Sequence, residues 1–136
     1  MKVMALDYGD ARTGVAVSDA TGMIVGFTTV ISEWNRERAV ERVAELIKIH
    51  QPKRLIMGYP KNMDGSEGPR AALYREFAAL VTEKTGMDVV LWDERRTTIE
   101  AHNILSANGK KTKKHKKNVD AVAASLILEG YLQFIK

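Results

Sequence analysis

Four acidic side chains stand where an apolar segment ends or begins. Asp7 directly follows Val3-Met4-Ala5-Leu6, the pair Asp93-Glu94 follows Val89-Val90-Leu91-Trp92, and Asp120 opens an apolar helical stretch. A charge at the end of an apolar strand, just ahead of Gly9, is costly unless something positive meets it. Three carboxylates from distant parts of the chain, converging without Lys or Arg among them, would repel one another. The usual resolution is a divalent cation, most often Mg²⁺, which takes oxygen ligands and keeps waters and substrate phosphates in its other positions. Two such ions can stabilise both the attacking and the leaving oxygen of a phosphodiester displacement. Asp93 and Glu94 alternate along a strand, so only one of them should face a cleft. Asp120 also suits the positive end of a helix, whereas Asp10, Asp19 and Asp64 sit in turn chemistry and read as turn formers.

The basic groups complement this picture. Of the 21 Lys and Arg, six fall within eight positions, Lys110, Lys111, Lys113, Lys114, Lys116 and Lys117; the formal net charge of +4 therefore belongs to one segment. A cationic segment on an otherwise near-neutral body points to a polyanion, because neutralised phosphates release counterions. The bland alternative is a solvated loop. Arg12 lies in a loop framed by Gly9 and Gly14, where close backbone approach can cradle a phosphate oxygen. Arg95 and Arg96 suit phosphate geometry or neutralise Asp93 and Glu94 locally. The Gly-rich loop Gly58–Gly68 leads into a helix start at Pro69 but lacks the G-K-[ST] ending of a nucleotide-binding P-loop. Trp34 and Trp92 are expected to be packing residues.

The elements that must position these groups are legible in the hydropathy pattern. Val3–Leu6, Thr13–Ser18 and Met23–Ile31 read as three strands joined by tight turns, the second being Asp19-Ala20-Thr21-Gly22. A helix follows from about Asn35 to His50, capped by Ser32 or Asn35 and stopped by Pro52. Arg54–Gly58 is a buried strand. A second helix begins near Pro69, carries Leu73, Phe77, Leu80 and Val81 on one face and closes at Gly86. Val89–Trp92 is another buried strand. Thr97 and Glu100 offer a capping box for a third helix ending near Asn108-Gly109. After a basic loop, Asn118–Phe134 forms a last helix with Val119, Val122, Ala123, Leu126 and Ile127 inward. The order βββαβαβα predicts an α/β fold, a mixed five-stranded sheet with three antiparallel and then parallel strands, flanked by helices. In such sheets ligands gather beyond the carboxyl ends of the parallel strands, where the acids fall.

Composition narrows the function classes. The 136 residues suit one domain, and with 45% apolar and 28% charged residues the make-up is that of an ordinary globular protein. The absence of Cys removes disulfides, thiolate metal sites and a Cys nucleophile. His50, His102 and His115 have no zinc-ligand spacing. Asp7 interrupts the N-terminal apolar run before a signal core could form, and no run approaches a membrane span, so a cytoplasmic protein is expected.

Leu6-Asp7-Tyr8-Gly9 through Arg12–Asp19, Met57-Gly58-Tyr59-Pro60 with Asn62–Ser66, Asp93-Glu94-Arg95 with Thr97-Thr98, and Val119–Ala124 together resemble the YqgF/RuvX family, across essentially the whole chain. These are bacterial Holliday-junction resolvases, also described as pre-16S ribosomal RNA nucleases. The resemblance implies a single RNase H-like nuclease domain over residues 1–136. It makes Asp7, Glu94 and Asp120 the metal-binding catalytic carboxylates, with Mg²⁺ or Mn²⁺ as cofactor. Arg12, Arg95, Lys110, Lys111, Lys113, Lys114, Lys116 and Lys117 would face the nucleic-acid backbone. The implied activity is phosphodiester hydrolysis on structured nucleic acid, foremost at the 5′ end of pre-16S rRNA. Branched DNA is the alternative substrate, and a resolvase would be expected to act as a homodimer. Two positions depart from the family pattern: Tyr59 replaces a Leu-like residue, and the fourth strand ends in Gly-Tyr-Pro without an acid. The second departure motivates a competing reading, a non-catalytic nucleic-acid-binding module. An actin-like or sugar-kinase phosphate-binding fold shares the Asp-x-Gly loop, but it needs two such domains and this chain has the length of one.

Overall fold

The computed structural model describes residues 1–60, 67–93 and 113–135, with the helix backbone alone at 113–120. Its elements run β1 (Val3–Asp7), β2 (Arg12–Ser18), β3 (Val25–Ser32), α1 (Arg36–His50), β4 (Arg54–Tyr59), α2 (Ala71–Thr85), β5 (Val89–Asp93) and α3 (Lys113–Phe134). The five strands form one sheet in the order β3-β2-β1-β4-β5. β1, β2 and β3 pair antiparallel, whereas β4 pairs parallel to both β1 and β5. The expected mixed sheet is thus present, with β1 at its centre.

Local chemistry explains the element ends. Asn35 caps α1 by accepting from the Arg38 amide at 3.0 Å, and Gln51 closes the helix in the left-handed region at φ 50° before Pro52. The β2–β3 turn is built around Asp19, whose carboxylate accepts from the Thr21 hydroxyl at 2.8 Å and the Met23 amide at 3.0 Å. Gly22 there holds φ +75°, a conformation that disfavours side chains. Ser18 accepts the Val3 amide at 2.8 Å, which ties the start of β1 to the end of β2.

Strand alternation divides the core in two. Met4, Leu6 and Tyr8 of the first strand and its exit, with Val15, Val17, Leu55, Met57 and Tyr59, face α1 and α2. Val3, Ala5, Ala16, Ile56 and Trp92 face α3, against Ala124, Ile127, Leu128 and Tyr131.

Four expectations are corrected. On α2 the inward residue is Tyr74, and Leu73 turns outward, because Tyr74 meets the ring of Tyr8 across the interface at 5.3 Å. β5 is an edge strand with Val90 and Leu91 exposed, because no further strand pairs with it among the described residues. On α3 the buried positions are Ala123, Ala124, Ile127, Leu128, Tyr131 and Leu132, while Val122 and Leu126 are only half-buried. The basic segment is not wholly a loop: Lys113, Lys114, Lys116 and Lys117 lie on the helical backbone of α3. Lys is a good helix former and no Gly or Pro interrupts the run from 113 to 129, so the helix extends through it. The third helix expected after Thr97 lies outside the described residues.

Candidate active site

The carboxyl ends of β1, β4 and β5 lie along one edge of the sheet, and Asp7 ends the central one. It is half-buried and pairs in register with Gly14 of β2, itself buried. Alternation from Val3 and Ala5 puts Asp7 on the α3 side of the sheet. The register also sets Asp7 level with Gly58 of β4, which pairs with Trp92 of β5. β4 therefore presents no side chain between Asp7 and β5 on that face.

Asp93 is placed differently. It pairs with Tyr59, whose ring belongs to the α1/α2 core, so Asp93 lies on the opposite face from Asp7. Position 93 is thereby separated from the first carboxylate by the sheet itself. Glu94, Arg95, Lys110 and Lys111 lie outside the described residues, as do the side chains of Lys113, Lys114, Lys116, Lys117 and Asp120. The backbone of Asp120 is part of α3, one turn ahead of Ala124. Among the described residues no three acids or histidines gather in a way that could hold a metal ion. Arg12 starts β2 at the same edge as Asp7.

The loop between β1 and β2 is fixed from several sides. A Cβ at Gly9 would collide with the Arg12 carbonyl, so the glycine is required by the loop's own closure. Tyr8 is buried against Phe77 with ring centroids 4.3 Å apart, and burial pushes its phenol above the usual value while Arg36 opposes the shift. Arg36 also meets Glu76 at 2.9 Å. Asp10 is more than the turn former expected: its carboxylate accepts from both terminal nitrogens of Arg70, at 3.3 and 3.4 Å, tying the loop to the entry of α2. That bond raises the Arg70 pKa further.

Tyr59, which stands where the family pattern has a Leu-like residue, anchors the end of β4. Its hydroxyl donates to Glu67 Oε1 at 2.7 Å and accepts from Arg75, which also pairs with Glu67 Oε2 at 2.8 Å. Burial, then the Glu67 carboxylate, raises the Tyr59 pKa. Nothing local in Gly-Tyr-Pro signals this contact, because its partners lie 8 and 16 residues further along the chain. Trp34, expected to pack, is 82% exposed. The available signal was its setting, Glu33-Trp34-Asn35, immediately before a helix cap.

The described residues also form a groove of about 370 Å³ between α1 and α2, lined by Glu37, Val40, Glu41, Leu80, Glu83 and Lys84. It lies away from Asp7, on the other face. No helix among the described residues is long and apolar enough to cross a membrane.

Comparison with known proteins places these features in a family. The family described as "RuvX: Holliday junction resolvase" matches residues 1–134. A protein of Carboxydothermus hydrogenoformans named "Putative pre-16S rRNA nuclease" is 41% identical over 134 residues, covering 98% of this chain and 97% of its own. One of the same name from Halothermothrix orenii is 43% identical over 134 residues, covering 98% and 96%. Among solved structures, RuvC of T. thermophilus in complex with Holliday junction substrate superposes with a TM-score of 0.65 at 16% identity, covering 100% of this chain and 97% of that one. At that identity the likeness shows the fold, which is the RuvC-like RNase H fold.

Proposed function

The chain belongs to the RuvX family of Holliday junction resolvases, and from that premise we propose that residues 1–136 form one divalent-metal-dependent endonuclease domain with Asp7, Glu94 and Asp120 at its reacting centre. As a member of this nuclease family it is a phosphodiester hydrolase acting on nucleic acid. The observation that carries the site assignment is the position of Asp7: half-buried, at the end of the central strand, on the face covered by α3.

Two periodicities support the other members. Were the extended backbone of β5 to continue one residue past Asp93, its period of two would put position 94 on the face of Trp92, which is the face of Asp7. On α3, position 120 precedes Ala124 by one turn and shares its stripe with Ile127 and Tyr131, which meet the sheet. An all-carboxylate donor set of this kind fits Mg²⁺ or Mn²⁺. The bound ions would supply Lewis-acid stabilisation and an activated water. The chain's own part is to hold Asp7 on a rigid strand and to leave the neighbouring surface low at Gly58. Arg12, Arg95 and the six lysines from 110 to 117 would bind phosphates and set the path of the strand. With no acid on β4, Glu94 would be the donor supplied beside Asp7 from the β5 side.

The names of the relatives support the 5′ end of pre-16S rRNA as substrate. Branched DNA is the second reading, favoured by the family's description. Cutting a four-way junction symmetrically needs two sites, hence a pair of chains. The deciding experiment compares wild type with Asp7→Asn on 5′-extended 16S precursor RNA and on a four-way DNA junction, with Mg²⁺, Mn²⁺ or EDTA. Cleavage of the RNA should require the metal and fall by at least about 10²–10³-fold in the variant, the scale of losing one charge-stabilising group. Full cleavage by Asp7→Asn overturns the site. Cleavage of the junction alone overturns the RNA assignment. Salt-sensitive binding with no turnover under either metal leaves a binding module.

A further inference from the structure

We propose that Trp34 is a stacking platform for an unpaired base of the bound nucleic acid, set beside the edge that carries Asp7. The proposal rests on the nuclease reading for the class of its ligand, and on the structure for its place. Trp34 is 82% exposed, whereas the chain's other tryptophan, Trp92, is 8% exposed. An indole carries the largest apolar face among side chains, and leaving it in water forgoes the gain that burial would bring.

Its position is tied to the active edge. β3 ends at Ser32, paired with Arg12, and the Glu33 amide donates to the Ala11 carbonyl at 3.0 Å. The segment leading to Trp34 is thus bonded to the loop that follows Asp7. Val30 pairs with Gly14, which pairs with Asp7. Two strand spacings and four residues therefore separate Trp34 from Asp7, a backbone distance of about 16 Å or less. That is roughly five nucleotide steps at the stacked spacing of about 3.4 Å. The next residue, Asn35, caps the 15-residue helix α1, so the indole stands on a fixed base.

The surrounding charge says which part of the nucleic acid it would meet. Arg36 is engaged with Glu76, and in the adjacent sequence the two acids Glu33 and Glu37 outnumber the one remaining cation, Arg38, which is exposed. Such a spot is a poor phosphate clamp. Stacking on the face of a base is indifferent to that balance and tolerant of sequence. Trp34 would add a salt-insensitive contact to the salt-dependent one expected of the lysine run.

The test measures binding in EDTA by fluorescence polarisation, with a labelled single strand of about 16 nucleotides and a blunt duplex of the same sequence. Trp34→Ala should weaken single-strand binding by about 5- to 140-fold, the range for one stacked base. The slope of log Kd against log salt should not change, duplex binding should stay within about two-fold, and Trp34→Phe should retain most of the affinity. Quenching of tryptophan emission by the single strand should be lost in Trp34→Phe. Equal single-strand affinity in Trp34→Ala and wild type overturns the proposal, and so does an equal loss on the duplex. Absence of single-strand binding by wild type also overturns the proposal, whereas the nuclease reading falls only if precursor RNA and four-way junction are both left uncut with Mg²⁺ and Mn²⁺. Asp7→Asn provides the separation: it should lose cleavage and keep the Trp34-dependent affinity.

Discussion

The two faces of the sheet are packed to different ends. Toward α1 and α2 the core is bulky and aromatic: Tyr8 lies against Phe77 and Tyr74, with Met4, Leu6, Leu55 and Met57 beneath. Polar ties at the rim, Asp10 to Arg70 and Tyr59 to Glu67 and Arg75, hold this face to α2. Toward α3 the aliphatic contact of Ile56 with Ile127 and Leu128 is interleaved with small residues, and Ala5, Ala16 and Ala124 are completely buried. Aromatic rings on that side sit at its end, where Trp92 meets Tyr131 at 5.5 Å and Phe134 at 5.2 Å. Interaxial and helix–sheet distances shrink with the side chains at the contact. One face buttresses the sheet; the other draws a single helix close to the strand that ends in Asp7. The volume of a core residue thus has a different meaning on each side.

Substitutions should separate the two roles. The largest effect on stability is expected from Phe77→Ala, about 3–5 kcal/mol in urea unfolding, with the specific activity of the folded fraction preserved. A matching fall in specific activity would show that the buttress face also shapes the site. Enlarging the other face with Ala124→Leu or Ala5→Leu should cost about 1–3 kcal/mol. Cleavage should nevertheless drop far more than for Phe77→Ala at equal folded fraction, because α3 is pushed off the sheet. Tyr59→Phe removes the hydroxyl shared by Glu67 and Arg75 and should cost about 0.5–1.5 kcal/mol. Arg70→Ala, at an exposed pair, should cost no more than about 1 kcal/mol by the same measurement.

A pH scan offers the finest discrimination. Tyr8 and Tyr59, both on the buttress face, have phenol pKa values raised above 10.0, chiefly by burial. Their neutral forms are favoured in the folded state, so their contribution is complete below the unfolded value and is lost as pH rises through the folded ones. The fall in unfolding free energy from neutral to alkaline pH, measured by urea unfolding at each pH, should be smaller in Tyr59→Phe than in wild type; an equal fall would remove Tyr59 from the account.

Much of this was legible from residue order. The β1–β3 meander, the Asn35 cap and the closure at Gly86 follow from chemistry within a few residues. So does the placement of Asp7 at a strand end. What was not legible depended on distant partners. Helical periodicity cannot choose between neighbours Leu73 and Tyr74, and a ring from β1's exit decides it. An apolar run such as Val89–Trp92 looks the same in a buried or an edge strand, and topology alone makes it an edge. The lysines at 113–117 resemble a solvated loop by charge, yet nothing in their backbone preferences stops a helix. For the site, the register shows Asp93 on the face away from Asp7, Glu94 lies outside the described residues, and Tyr59 and Trp34 could be understood only with the sheet assembled.

The central strand also sets a schedule for synthesis. Leu6 pairs on one side with Val15, close behind it, and on the other with Met57. At translation speeds of about 5–20 residues per second, roughly fifty residues take some seconds to emerge. Through that interval Met4, Ala5 and Leu6 offer the nascent chain's neighbours an apolar strand with one row of backbone donors and acceptors unclaimed, the template on which chains misassociate. A helper that shelters the first sixty residues would protect this protein more than one acting on the finished chain.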